Sequence, residues 1–145
     1  MNYNHPLFLY EENVHVPFIL YNRDIFKTPA EFSGITRHID ILPTILDILQ
    51  IPDLEKREGV SIFSPRTEKL SLIHTSWKDD FMAVRDVRWK YIMKMKDGSE
   101  ELYDLSSDPD EKNNVSLIFP DIAARYRDYT EKGIGYINGF YEIHK

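Results

Sequence analysis

Apolar residues along this chain follow three rhythms. The first is a nearly unbroken run: Val14 to Tyr21 reads V-H-V-P-F-I-L-Y and closes at Asn22. A short run rich in Val, Ile and aromatic residues reads as a strand covered on both faces, the kind found inside parallel sheets. Very little sequence precedes it, so its sheet neighbours are not visible. Its backbone donors and acceptors still need partners. The expectation is that Val16 to Tyr21 lies on a sheet edge, pairs with a second copy of the chain, or is covered by the helix that follows.

The second rhythm is helical. After a polar loop containing Pro29 and Gly34, Ile39, Leu42, Ile45, Leu46, Leu49 and Ile51 recur at near-helical spacing. Asp40 is placed as an N-cap, and Pro43 is tolerable in a first turn. The spacing predicts a helix from about Asp40 to Leu49, closed by Ile51-Pro52. Pro52 to Thr67 reads as a connecting loop. The third rhythm begins at Leu70, where four short β-type runs follow one another: L-S-L-I-H-T-S-W, F-M-A-V-R-D-V, W-K-Y-I-M-K-M-K and E-L-Y-D-L. Asp97-Gly98 between the last two is a hairpin signal, which predicts antiparallel pairing of Trp89–Met95 with Glu101–Leu105. The acidic stretch from Asp104 to Asn114 predicts a turn leading into a short helix that starts at Asp108-Pro109. Ile122, Ala123, Tyr126 and Tyr129 mark a last helix from about Pro120 to Lys132, with G-I-G-Y-I-N-G as its stop.

Composition narrows the partners. The 145 residues are 42% hydrophobic, with nine Tyr and eight Phe, which fits a globular chain with a respectable core. The formal charge of −6 is spread along the chain, and no basic footprint for nucleic acid is visible. No apolar run approaches the roughly 18–20 residues of a membrane-spanning helix. The chain has no cysteine, so disulfides, thiolate metal sites and thiol nucleophiles are absent together. The first residues lack the basic and apolar regions of a signal peptide, and localisation stays open.

The residues alone support no catalytic site. His5, His15, His38, His74 and His144 show neither H-x-H nor H-x-x-x-H spacing. The acidic stretch lacks the glycine and the closing glutamate of a calcium loop. No serine sits in a G-x-S-x-G or S-x-x-K context. Glu11 and Glu12 are adjacent, and in extended chain adjacent side chains diverge rather than converge on one substrate.

Four stretches, in order, carry a resemblance. L-Y-E-E-N-V-H-V-P-F-I-L-Y-N resembles the Y-E-x-x-x-x-V-P-hydrophobic stretch of the sulfatase family, within the alkaline phosphatase superfamily. H-I-D-I-L-P-T-I-L-D-I-L-Q-I is similar to that family's H-x-D-hydrophobic-hydrophobic-P-T helix. A-V-R-D-V-R-W-K-Y-I resembles its A-V-R-x-x-x-W-K-Y-hydrophobic strand pair. E-L-Y-D-L-S-S-D-P-D-E-K-N-N resembles its L-Y-D-L-x-x-D-P-x-E-x-x-N turn. The match is to the family's C-terminal portion.

The resemblance implies an α/β, alkaline-phosphatase-like fragment. Residues 1–60 would be the end of the large α/β domain, with a strand and a helix of its sheet. Residues 61–145 would be a small α+β subdomain of antiparallel sheet and C-terminal helix. A longer parent would hydrolyse sulfate esters, using a formylglycine-type nucleophile from a C/S-x-P-x-R motif and a divalent cation such as calcium. Neither that motif nor the aspartate metal motifs occur here, so the isolated chain is expected to be inactive, with no catalytic or metal-binding residue of its own. The expected partner is the N-terminal catalytic portion of the parent, with self-association through 16–21 as a further possibility. In the family a Lys or His just before the Y-E pair contacts the sulfate group. His5, five positions before Tyr10, is the substrate-binding candidate, although the family's Lys often sits where this chain has Pro6. Tyr10, Asp40, Pro43 and Thr44 are expected to fix the strand and helix, and Trp89 and Tyr103 to fill the small core. Two other readings remain: a phosphoryl or phosphonate transferase or hydrolase of the same superfamily, and a non-catalytic interaction module.

Overall fold

The computed structural model describes residues 8–52, 58–65, 70–76 and 79–143. Its centre is a four-stranded antiparallel meander, β1 (Ser71–Thr75), β2 (Phe81–Arg85), β3 (Trp89–Lys94) and β4 (Glu100–Asp104), in sequential order. The expected hairpin is present, with Trp89 opposite Asp104 and Tyr91 opposite Leu102. Gly98 has φ +70, which a residue with a Cβ reaches only with strain, and Asp97 Oδ1 accepts hydrogen bonds from Ser99 N and Ser99 Oγ at 3.0 and 2.7 Å. At the β2–β3 turn, Asp86 accepts from the amides of Arg88 and Trp89 at 2.7 and 2.6 Å and from the Tyr126 hydroxyl.

Side chains of a strand alternate between faces, and here both faces are covered. Val84, Trp89, Tyr91 and Leu102 pack with Ala123 and Tyr126 of the last helix, α3 (Pro120–Ile143). Phe81, Ala83, Ile92 and Tyr103 point the other way and pack with Leu9. Trp89 and Tyr103 therefore fill the small core as expected, one on each face. Arg127 of α3 forks onto Glu100 at 2.6 to 2.9 Å, and Tyr91 donates to the same carboxylate at 2.7 Å.

The last helix runs beyond the expected stop at Gly133. At that position glycine provides clearance rather than termination: a Cβ would meet Leu72 Cδ2 at 2.6 Å, so the helix crosses close over β1. The expected short helix after Asp108-Pro109 is also absent. The Asp108 carboxylate instead accepts from the amides of Lys112 and Asn113 at 3.1 and 2.8 Å, which holds the chain in a turn. Asn114 and Val115 then return along β4, where Leu102 N donates to Asn114 Oδ1 at 3.1 Å and Val115 N to Leu102 O at 2.8 Å.

The front of the chain differs most from expectation. Residues 15–22 form no strand, belong to no sheet and are not covered by the helix: Ile19 and Tyr21 are 82% and 81% exposed. A strand needs a neighbour to take its backbone bonds, and among the described residues no strand pairs with this run. The run ends where Asn22 Oδ1 accepts from the amides of Asp24 and Ile25 at 2.8 and 3.0 Å. The expected helix is present as α2 (Ile41–Ile48), entered through a 3₁₀ turn, His38–Asp40. It closes with Gln50 at φ 54 and an Ile51 N to Leu46 O bond of 2.9 Å, a left-handed cap.

Asp40 does not cap α2 with its side chain. Its carboxylate is buried and accepts from Arg37 N at 2.9 Å, from the Arg37 guanidinium at 3.2 and 3.3 Å, and from Val60 N at 3.0 Å. Thr44 Oγ1 donates to Asp40 O at 2.6 Å and accepts from Ile62 N at 3.1 Å. The H-x-D-x-x-P-T residues thus fasten the 58–64 loop to α2. Gly59 is needed in that contact, because a Cβ would lie 1.8 Å from the Ile39 carbonyl oxygen.

Candidate functional site

The segment preceding the apolar run is the part of the front half tied to the sheet. Leu9 is buried against Phe81, Ala83, Ile92 and Tyr103, and Tyr10 meets Tyr103 edge-on at 6.1 Å. Tyr10 and Tyr103 both donate to Glu101 Oε2, at 3.1 and 2.9 Å. Burial, reinforced by the Glu101 charge, raises the pKa of both phenols, so they remain neutral donors. A single short turn follows, α1 (Glu11–Val14).

Glu11 lies in a cluster of charges beneath β2 and β3. Its Oε1 accepts from Arg85 Nε at 2.9 Å and from Lys90 Nζ at 3.1 Å. Lys90 Nζ also lies 3.0 Å from Glu111 Oε1, and Glu111 Oε2 accepts from the Glu11 amide at 2.5 Å. Arg85 and Lys90 face each other across β2 and β3, so the alternation that buries Ala83 and Ile92 places both cations on the same face. The Lys90 side chain is fully buried. Burial pushes the Glu11 pKa up, but the Arg85 and Lys90 hydrogen bonds and their charges outweigh it and hold the carboxyl below its usual value.

Sequence points to Trp89 as a core residue and gives no role to its neighbour Lys90. A lysine in the apolar run R-W-K-Y-I could have been noticed, since lysine is almost never fully buried unless paired. Arg85, Glu101 and Glu111 were missed too. Their partners come from distant sequence, and no local spacing shows the pairing.

His5 lies outside the described residues. Among the histidines described, His15 is exposed, with Nδ1 3.8 Å from Glu11 Oε2, and His74 Nε2 lies 2.7 Å from Asp80 Oδ1. His38 lines an open groove of about 320 Å³ with Leu42, Pro43 and Glu58. Among the described residues no three His, Asp or Glu side chains converge to hold a metal ion. The carboxylates that do cluster, Glu11 and Glu111, are engaged by cations, so they do not fit the role of metal ligands. No helix among the described residues is long and apolar enough to cross a membrane.

The family model described as N-sulphoglucosamine sulphohydrolase, C-terminal, matches residues 3–119, which takes in α1, α2, the sheet and the Glu111 turn. The chain belongs to this sulfatase family. It is 33% identical to human arylsulfatase K over 133 residues, covering 79% of this chain and 24% of that protein. Similarity extends to the delta 4,5-hexuronate-2-O-sulfatase of Bacteroides thetaiotaomicron, at 30% identity over 121 residues, 74% of this chain and 25% of that one. A solved 2-O GAG sulfatase superimposes with a TM-score of 0.57 at 25% identity, covering 73% of this chain and 26% of its own. The chain thus spans about a quarter of the length of the curated sulfatases it matches. The expected C-terminal sulfatase portion, with its α/β character, is what these matches support.

Proposed function

We propose that this chain is the C-terminal part of a sulfatase that cleaves sulfate monoesters. The observation that carries the reading is the family match over 3–119, whose sequence stretches supply two sets of buried polar contacts in the structure, Asp40 with Val60 and Glu11 with Arg85, Lys90 and Glu111. In this reading residues 1–60 complete the large α/β domain, residues 61–145 form the small subdomain, and Leu9–Val14 of the first is the strap that packs on the sheet of the second. The nucleophile and the divalent cation of the parent belong to sequence outside this chain. The exposed run 15–22, together with the outward apolar side chains Leu42, Ile45 and Leu49 of α2, is the surface on which that catalytic portion docks.

His5 contributes a donor or positive charge to the sulfate group, where it stabilises charge during sulfuryl transfer. The names of the two relatives support two substrate types for the parent, aryl sulfates and 2-O-sulfated hexuronate sugars. The test is an assay of the longer protein on p-nitrophenyl sulfate, on a 2-O-sulfated unsaturated hexuronate disaccharide and on p-nitrophenyl phosphate. Sulfate release with little phosphate release supports the reading. Phosphate release alone would move the protein to phosphoryl chemistry, and no turnover of any of the three would favour an interaction module.

A further inference from the structure

Three of the four stretches that carry the family resemblance send side chains into the same buried cluster, and the third of the four supplies two of them. Glu11 comes from L-Y-E-E-N, Arg85 from A-V-R, Lys90 from W-K-Y and Glu111 from D-P-D-E. We propose that Lys90 is a positioning residue: its buried ammonium, held between Glu11 and Glu111, fixes the register of the Leu9–Val14 strap on the sheet. The role rests on the proposed sulfatase reading only in that the strap follows directly on the stretch containing His5.

Apolar contact alone would hold the strap loosely. Leu9 is buried, but hydrophobic attraction has no direction, and a strap displaced by a fraction of a turn would still cover Phe81 and Ile92. Three short polar contacts remove that freedom. Lys90 Nζ lies 3.1 Å from Glu11 and 3.0 Å from Glu111, and the Glu11 amide donates to Glu111 at 2.5 Å. Glu111 adopts φ 53, a left-handed conformation that glycine takes more easily. The chain places a side chain there because the carboxylate is needed. Lys90 is not a nucleophile or a base, since the side chain has no exposed surface and lies against two carboxylates.

Buried ion clusters of this kind add little net stability compared with apolar replacements of the whole set, while loss of one member leaves an uncompensated charge. That asymmetry separates positioning from scaffolding. The experiment compares the chain with Lys90→Met, with Lys90→Arg, and with the triple variant Glu11→Gln, Lys90→Met, Glu111→Gln. Hydrogen exchange is followed by NMR at the Asn13 and His15 amides, which bond within the α1 turn, and at Val84 and Tyr91, paired across β2 and β3. In the triple variant, protection at Val84 and Tyr91 stays within about threefold of the parent chain, while protection at Asn13 and His15 falls at least about tenfold. Lys90→Arg restores most of that loss and Lys90→Met does not. Unchanged protection at Asn13 and His15 in the triple variant would overturn the proposal, because apolar packing would then suffice. Equal loss at all four amides would also overturn it, because the cluster would be scaffold. In the longer protein the triple variant raises KM for p-nitrophenyl sulfate about tenfold with kcat within about twofold; a fall in kcat at constant KM contradicts the proposal. Absence of sulfatase activity in the unmodified longer protein would refute the proposed function and leave the exchange result to decide the role of Lys90.

Discussion

The two halves of this chain use apolar residues in opposite ways. From β2 to α3, nearly every large apolar side chain facing the sheet finds a partner: Tyr91, Leu102 and Tyr126 are buried on one face, and Ala83, Ile92 and Tyr103 on the other. From Val16 to Ile51 the same residue types point outward, including Phe18, Ile19, Tyr21, Leu42, Ile45 and Leu49. Composition is similar, so hydrophobicity does not explain the difference. The back half is covered on both faces, by its own α3 and by the Leu9–Val14 strap that reaches it from the start of the chain. The front half has a single short helix and a loop. An exposed apolar surface of this continuity marks an interaction face, which agrees with the proposed docking of a catalytic portion.

The comparison breaks most sharply under truncation of large side chains. Tyr91→Ala, at a site with no exposure, removes a core residue packed against Ala123 and Tyr126 and costs about 3–5 kcal/mol by urea denaturation. Tyr21→Ala removes a ring of the same size from an 81% exposed site and shifts stability by no more than about 0.5 kcal/mol. A large loss at Tyr21 would mean that the front half is packed in a way its exposure does not show.

Gly59→Ala tests a well-organised contact of the front half. Backbone atoms of Ile39 and Asp40 occupy the space its Cβ needs and cannot rotate away, so overpacking of about 1–3 kcal/mol is expected, read as earlier unfolding of the α2 region by circular dichroism. Gly133→Ala is milder, since the blocking atoms belong to the flexible end of Leu72.

Acid sharpens the contrast by a smaller amount. Asp104 is lowered to about 2, first by its hydrogen bonds to Arg88 and then to Ser106, and Glu100 is held below its ordinary value chiefly by Arg127. Both carboxylates bind protons more weakly folded than unfolded. Their contribution is therefore complete above the ordinary carboxylate values near 4 and is lost as pH falls through the folded values. For Asp104 that window runs from about 4 down to about 2. The Arg88 partner of Asp104 is largely open to water, so screening keeps the effect small. The midpoint of thermal unfolding should be flat from pH 7 to 5 and fall below pH 4. A fall that begins near pH 6 would point to a histidine instead.

The back half was legible because its signals are local. Period-two alternation, Asp97-Gly98 and the aromatic stripe of α3 each predict a neighbour within a few residues. The expectations that failed were those that needed distant information. The V-H-V-P-F-I-L-Y run has strand composition, but a strand is a property of a pair. Gly133 reads as a stop until Leu72 is known to lie beneath it. Asp40 reads as a helix cap until Val60, twenty positions on, claims its carboxylate. The Glu11–Lys90–Glu111 cluster spans 100 positions and no spacing rule reveals it.

The central claim is that the sheet, with α3 and the Leu9–Val14 strap, closes a core while the segment from Val16 to Ile51 waits for a covering partner. Hydrogen exchange with mass spectrometry on the isolated chain tests it directly, by comparing peptides over 17–26 with peptides over 81–104. The account predicts exchange near the unfolded rate for 17–26, apart from the Asn22 turn, and protection over the strands approaching the global stability of the chain. Strand-like protection of 16–21 in a dilute, monomeric sample would contradict it, because the run would then have found its partners within this chain.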